Sequence, residues 1–94
     1  MNGDRPHDDF ATLEHRRSQV QDRIGRLSRR EREILALLGH GLSNRGIGHE
    51  LGISERTVKY HVSNVLIKLR VESRLQAGSI AALLIARPEP PAGA

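Results

Sequence analysis

Lys59, Tyr60, Ser63 and Ile67 recur at the three- and four-residue intervals that bring side chains to one side of a helix, and Arg56, Lys68 and Arg70 flank them. Such a stripe recognises rather than makes bonds. Ammonium and guanidinium groups only donate hydrogen bonds, while phenol and hydroxyl groups donate and accept, so the set suits a partner rich in acceptor oxygens and nitrogens. Residues for bond-making chemistry are missing. The chain has no cysteine nucleophile, no G-x-S-x-G turn and no glycine-rich phosphate loop, and Gly39-His40-Gly41 reads as a helix stop. The five histidines, His7, His15, His40, His49 and His61, fall on separate segments without the i, i+4 pairing or carboxylate neighbours of a zinc site. No catalytic residue, metal or cofactor is therefore expected.

The charge distribution points the same way. The formal charge is +4 over 94 residues, but residues 1–22 carry three basic and five acidic side chains, and residues 23–74 carry eleven and five. The positive excess is central, as a polyanion partner would require, although charge alone also fits a basic surface that serves solubility. With one Phe, one Tyr, no Trp and no Cys, a core in a chain this short has to come from Leu, Ile, Val and Ala. The lack of cysteine suits a reducing compartment, and no apolar run approaches the ~20 residues of a membrane span. The first ten residues lack a signal-peptide pattern, so no export and no membrane partner are expected.

Serines punctuate the elements that must carry the stripe. Ser28, Ser43, Ser54 and Ser73 each precede a stretch of helical spacing, where a hydroxyl can accept from a free N–H of the first turn. Ser28-x-x-Glu31 and Ser73-x-x-Gln76 read as capping boxes, and Leu42 with Ile47 and Ile53 with Val58 read as hydrophobic staples. The spacing predicts helices over 29–38, 44–51, 55–69 and 74–86, with stops at Gly39-His40-Gly41, Gly52 and Pro88. No segment alternates as a strand does, so the fold class is all-α. A further helix is expected over 10–26, where Phe10, Leu13, Arg17, Val20, Ile24 and Leu27 follow coiled-coil seam spacing. Arg17 interrupts that seam, and two readings stay open: an amphipathic helix packed on its own domain, or an intermolecular coil. Residues 1–9 and 87–94 read as disordered ends around a domain over 27–86.

The second and third of the four core helices, separated by Gly52-Ile53-Ser54, have the pattern of a helix-turn-helix. Ile47 and Leu51 face inward, Gly48 is the small residue where the backbones approach, Gly52 turns the chain, and Ile53 and Val58 close the wedge. One face of the helix over 55–69 is then left outside, free to enter the ~12 Å major groove of a duplex. The alternative, that these are solvated positions of an amphipathic helix, leaves the staple, the glycine turn and the central charge unexplained together.

From Leu27 to about Ala82, some 60% of the chain, the sequence resembles the LuxR-type, or NarL/GerE-type, four-helix DNA-binding domain of bacterial transcription regulators. The matching text is LSRREREILALL, GLSNRGIGHELGISERTVKYHVSNVLIKL and SRLQA, with SN, LGIS, TVK, His61, Asn64 and KL in register. The resemblance implies a cytoplasmic, nucleoid-associated bacterial regulator, a response regulator output domain that binds double-stranded DNA as a homodimer, with RNA polymerase as a further partner. It places base-reading roles on Lys59, Tyr60 and Ser63, and phosphate contacts on Ser43, Asn44, Arg45, Thr57 and Lys68, to which Arg56 is a physical addition. The free N–H groups that begin the two helices favour phosphate independently, and Lys59 is long enough to reach a guanine edge.

In this family the last core helix forms the dimer contact, which here implies Leu75, Gly78, Ala82 and Ile85, with Ala77, Ile80, Ala81 and Leu84 turned toward the domain. Three features depart from the family pattern. The usual SNKEIA reads SNRGIG, so Gly46 and Gly48 replace better helix formers at about 0.8–1 kcal/mol each. Ile67 stands where a polar or charged residue is usual, and Tyr60 is the chain's only tyrosine. A promoter reader resembling region four of a sigma factor, and a protein interaction module on the same fold, remain as alternatives. Because the family usually couples this domain to a receiver or ligand-binding domain, the expectation is either an excised C-terminal domain or a stand-alone regulator.

Overall fold

The computed structural model describes the backbone of residues 6–85 and the side chains from Thr12 onward. The expectations for residues 1–5 and 86–94, Pro88 included, lie outside the described residues. Five helices, α1 (Pro6–Gly25), α2 (Arg29–Gly39), α3 (Asn44–Leu51), α4 (Glu55–Leu69) and α5 (Arg74–Leu84), account for the described fold, and no strand occurs among those residues. The class is all-α. Helix α1 starts at Pro6 rather than Phe10, so residues 6–9 are helical instead of disordered; proline suits a first helical position, where no N–H is needed. Helix α5 ends at Leu84, two residues short of the expected end, with Ile85 as its cap.

All four serines cap as their spacing predicts. The hydroxyls of Ser28, Ser43, Ser54 and Ser73 accept from the N–H of Glu31, Gly46, Thr57 and Gln76 at 3.1, 3.1, 3.1 and 3.2 Å. Each such cap contributes about 1 kcal/mol. The box at Ser28 is complete, since Ser28 N–H donates to Glu31 Oε1 at 2.8 Å. The second box is displaced: Gln76 Oε1 accepts from Glu72 N–H at 2.7 Å, one residue before the cap. The extended backbone at Ser73 (φ −140°) brings the neighbouring amide within reach of the amide side chain instead.

Three helices close by one device. Leu42, Ile53 and Val71 donate their N–H groups back to Leu37, Gly48 and Leu66 at 3.2, 3.0 and 3.1 Å. The residue before each donor is left-handed, Gly41 at φ 82°, Gly52 at 71° and Arg70 at 59°. This is the Schellman closure, and each residue whose N–H donates also tucks an aliphatic side chain against the core. Glycine takes this conformation freely, whereas an L side chain pays roughly 1–2 kcal/mol for it, so Arg70 is the exception among the three.

The core is aliphatic, as the composition requires. Ile34 and Leu35 of α2, Ile47 of α3, Val58 and Val65 of α4 and Ala77 and Ala81 of α5 are fully buried. Burying a Val, Leu or Ile side chain contributes about 1.5–3 kcal/mol. Helix α2 packs on α4 and α5, and α3 packs on α4. At the α3–α4 turn Gly48 is buried, and a Cβ there would lie 2.6 Å from the Ile53 carbonyl oxygen, so the turn is tight because that position has no side chain. The end of α1 packs on its own domain: Ile24, and Leu27 just after the helix, meet the core, whereas Leu13 is exposed. The Phe10 side chain lies outside the described residues.

Candidate nucleic-acid interface

Packing Val58, Val62, Val65 and Leu69 inward fixes the rotation of α4 and turns its opposite face to solvent. Lys59, Tyr60, Ser63 and Ile67 all stand on that face, with Tyr60 65% and Ile67 72% exposed. Among the described residues neither Lys59 nor Arg56 has an ion pair, and the Ser63 hydroxyl has no hydrogen bond, so their polar atoms remain available. The Tyr60 ring meets the His61 ring edge to face at 5.8 Å between centroids. Arg45 is likewise exposed and unpaired at the start of α3.

The remaining sequence-predicted contacts are already engaged inside the chain. Ser43 and Thr57 belong to the caps: Ser43 Oγ accepts from Gly46 N–H, and Ser54 Oγ donates to Thr57 Oγ1 at 3.0 Å. Asn44 Oδ1 accepts from Arg74 Nη1 at 2.7 Å, and Arg74 Nη2 also donates to the Leu42 carbonyl at 2.9 Å. Arg74, to which the sequence reading gave no role, thus ties the start of α5 to the start of α3. It fixes Asn44 with its amide N–H₂ directed away from the guanidinium, so that group stays free to donate.

Lys68 is held more firmly than expected. Its Nζ donates to Glu31 Oε1 at 2.8 Å, joining the last turn of α4 to the first turn of α2. The Glu31 side chain is 8% exposed and the Lys68 side chain 44%. The lysine hydrogen bond, followed by that from Ser28 N–H, holds the Glu31 carboxyl below its usual pKa, against the opposing effect of burial. Lys68 therefore first positions α4, and only its outer N–H groups face water. The partnership spans 37 positions, and no local sequence signal marks it.

The expected dimer residues divide. Leu75, Gly78 and Ala82 line one shallow apolar groove with Leu38 and Leu42, and Leu75 is 76% exposed. Ile85 is not part of it; the bend at the end of α5 turns this side chain against the domain's own core. Gly78 is also partly committed, because a Cβ there would lie 3.0 Å from the Leu38 carbonyl, so its smallness first serves the α2–α5 contact. Ile80 and Leu84 are half-buried and line a second groove with Arg16, Arg17 and Val20 of α1. No described helix is long and apolar enough to cross a membrane, and no cluster of three metal-ligating side chains occurs among the described residues.

A tight helix-turn-helix, braced by α2 and α5 and presenting one uncommitted polar helix face, defines a four-helix recognition domain with an added N-terminal helix. The family model described as "Bacterial regulatory proteins, luxR family" matches residues 25–81, and the chain belongs to that family. It is 59% identical over 51 residues to the transcriptional regulatory protein DegU of Brevibacillus brevis, covering 54% of this chain and 22% of that protein. It is 47% identical over 60 residues to the transcriptional regulatory protein FixJ of Azorhizobium caulinodans, covering 64% and 28%. To the nitrate/nitrite response regulator protein NarL of Escherichia coli it is 40% identical over 67 residues, covering 71% and 31%. The matched region thus spans less than a third of the length of each of these regulators.

Proposed function

We propose that this domain is a sequence-specific, double-stranded-DNA-binding transcription regulator that lays α4 in the major groove and acts through binding alone. The observation that carries this reading is the outward face of α4, where Lys59, Tyr60 and Ser63 stand together with no polar atom spent within the fold. These three side chains read base edges. Arg45 and Arg56 neutralise phosphates on either side of the turn, while Ser43, Asn44 and Thr57 present the first turns of α3 and α4 to the backbone, where helix N–H groups favour anions. Lys68, held by Glu31, sets the angle at which α4 meets the same strand wall. The groove at Leu75, Gly78 and Ala82 pairs two copies across a twofold axis, placing two α4 helices in successive major grooves.

Selection of bound duplexes from a random pool tests this directly. The expected product is a short inverted repeat with half-sites about one helical turn apart. Binding should weaken steeply with salt, by a slope of about 0.9 for each phosphate contact. Recovery of no preferred sequence, with a flat salt dependence, would leave the fold as a protein interaction module.

A further inference from the structure

Beyond the stripe of Lys59, Tyr60 and Ser63, the end of α4 carries a group of arginines from two parts of the chain. A hollow there is lined by Arg26, Ile67, Lys68 and Arg70, and a second, adjoining one by Gln19, Asp22, Arg23, Arg26 and Arg70. Arg26 and Arg70 belong to both. Of the cations, Lys68 is bonded to Glu31, and Arg23 Nη1 donates to the Leu69 carbonyl at 3.5 Å. Among the described residues the side chains of Arg26 and Arg70 have no hydrogen-bond or ion-pair partner, and Asp22 forms no ion pair with any of these cations.

Arg70 holds this place at a cost to the backbone. It is the left-handed residue that closes α4, in the position that Gly41 and Gly52 occupy at the ends of α2 and α3. A glycine would complete the same closure without strain, so the side chain, and not the turn, accounts for an arginine here. Its placement is also specific. Arg70 follows Ser63 by seven positions and Ile67 by three, which continues the outward stripe of α4. From Arg56 to Arg70 the helix runs about 21 Å at 1.5 Å per residue, longer than the ~12 Å width of a major groove. Its far end therefore meets the phosphate wall of the groove.

We propose that Arg26 and Arg70 form an anion site for a backbone phosphate of the duplex that α4 enters, so that the segment between α1 and α2 takes part in binding. This rests on the DNA-binding reading given above. The site positions and carries no sequence information.

The test uses the full chain as wild type, Arg70→Gly, Arg26→Gln and the double variant, with thermal unfolding measured beside binding to a selected and a scrambled duplex. Arg70→Gly should keep or raise Tm while weakening both duplexes alike. The slope of log K against log salt should become shallower by about 0.9 for each arginine removed, so that each single variant gives up about 3.5-fold, and the double variant about 12-fold, of the wild type's affinity change between 50 and 200 mM salt. Slopes equal to wild type in both single variants, a loss confined to the selected duplex, or a lowered Tm for Arg70→Gly would each overturn the proposal while wild-type binding stands. Absence of any salt-dependent binding by wild type would instead overturn the DNA-binding reading, and this site with it.

Discussion

The bond between Lys68 and Glu31 separates a positioning role from a contact role, and two substitutions distinguish them. Lys68→Met keeps the aliphatic stem and removes the charge; Glu31→Gln keeps an oxygen for Ser28 N–H and removes the other charge. A hydrogen bond to a charged group contributes about 1.5–3 kcal/mol. The Lys68 side chain is 44% exposed, so solvent screening places this pair near the lower figure, about 1.5 kcal/mol. For a domain of this size 1 kcal/mol moves Tm by about 4–8 °C, so Lys68→Met should lower Tm by roughly 6–12 °C. The double variant should be less destabilised than the sum of the singles by about 1 kcal/mol. Urea or thermal melts followed by far-ultraviolet circular dichroism supply all four corners of the cycle. In DNA binding, Glu31→Gln leaves Lys68 a neutral acceptor in place of a carboxylate, so it should loosen Lys68 and steepen the salt slope by up to about 0.9, whereas Lys68→Met should change the slope little. A coupling energy within the ~0.3–0.5 kcal/mol scatter of independent sites, together with a full unit lost from the slope in Lys68→Met, would refute the positioning role.

Helix propensity alone gives Gly46→Ala and Gly48→Ala the same gain of about 0.8–1 kcal/mol, but the sites differ. A Cβ at Gly46 meets nothing nearer than 3.5 Å, so Tm should rise there, while the 2.6 Å approach to Ile53 at Gly48 should cancel the gain; equal rises in thermal melts would contradict the packing of the turn. The depressed pKa of Glu31 contributes stability that is fully present above the ordinary glutamate value and is lost as pH falls through the lowered folded value. Tm should therefore drop on acidification below the ordinary glutamate range, and Glu31→Gln should flatten that limb; parallel curves would rule out this source. Lys59→Ala should lose about 1–3 kcal/mol of discrimination at one base position in competition binding, and equal losses on selected and scrambled duplexes would remove it from base reading.

What could be read from the sequence was local. A serine before a helical stretch caps it through atoms three residues away, so the starts of α2, α3, α4 and α5 were legible, as was the wedge of Ile47, Gly48, Ile53 and Val58 that turns α4 outward. Contacts made across the chain were not. Arg74 meets Asn44 over 30 positions and Lys68 meets Glu31 over 37, and nothing in the spacing of either pair distinguishes them from other exposed charges. Ile85 fits the helical stripe of Leu75, Gly78 and Ala82 only while the helix continues, and α5 stops one residue before it. The left-handed Arg70 was hidden for a related reason: two helix stops contain glycine, and the third uses the same bond without one.

The placement of Tyr60 has an optical consequence. With no tryptophan in the chain and its single tyrosine 65% exposed on α4, tyrosine emission comes from the outward face of that helix, while the aliphatic interior is silent. Fluorescence quenching on titration with a duplex would then register docking without a label.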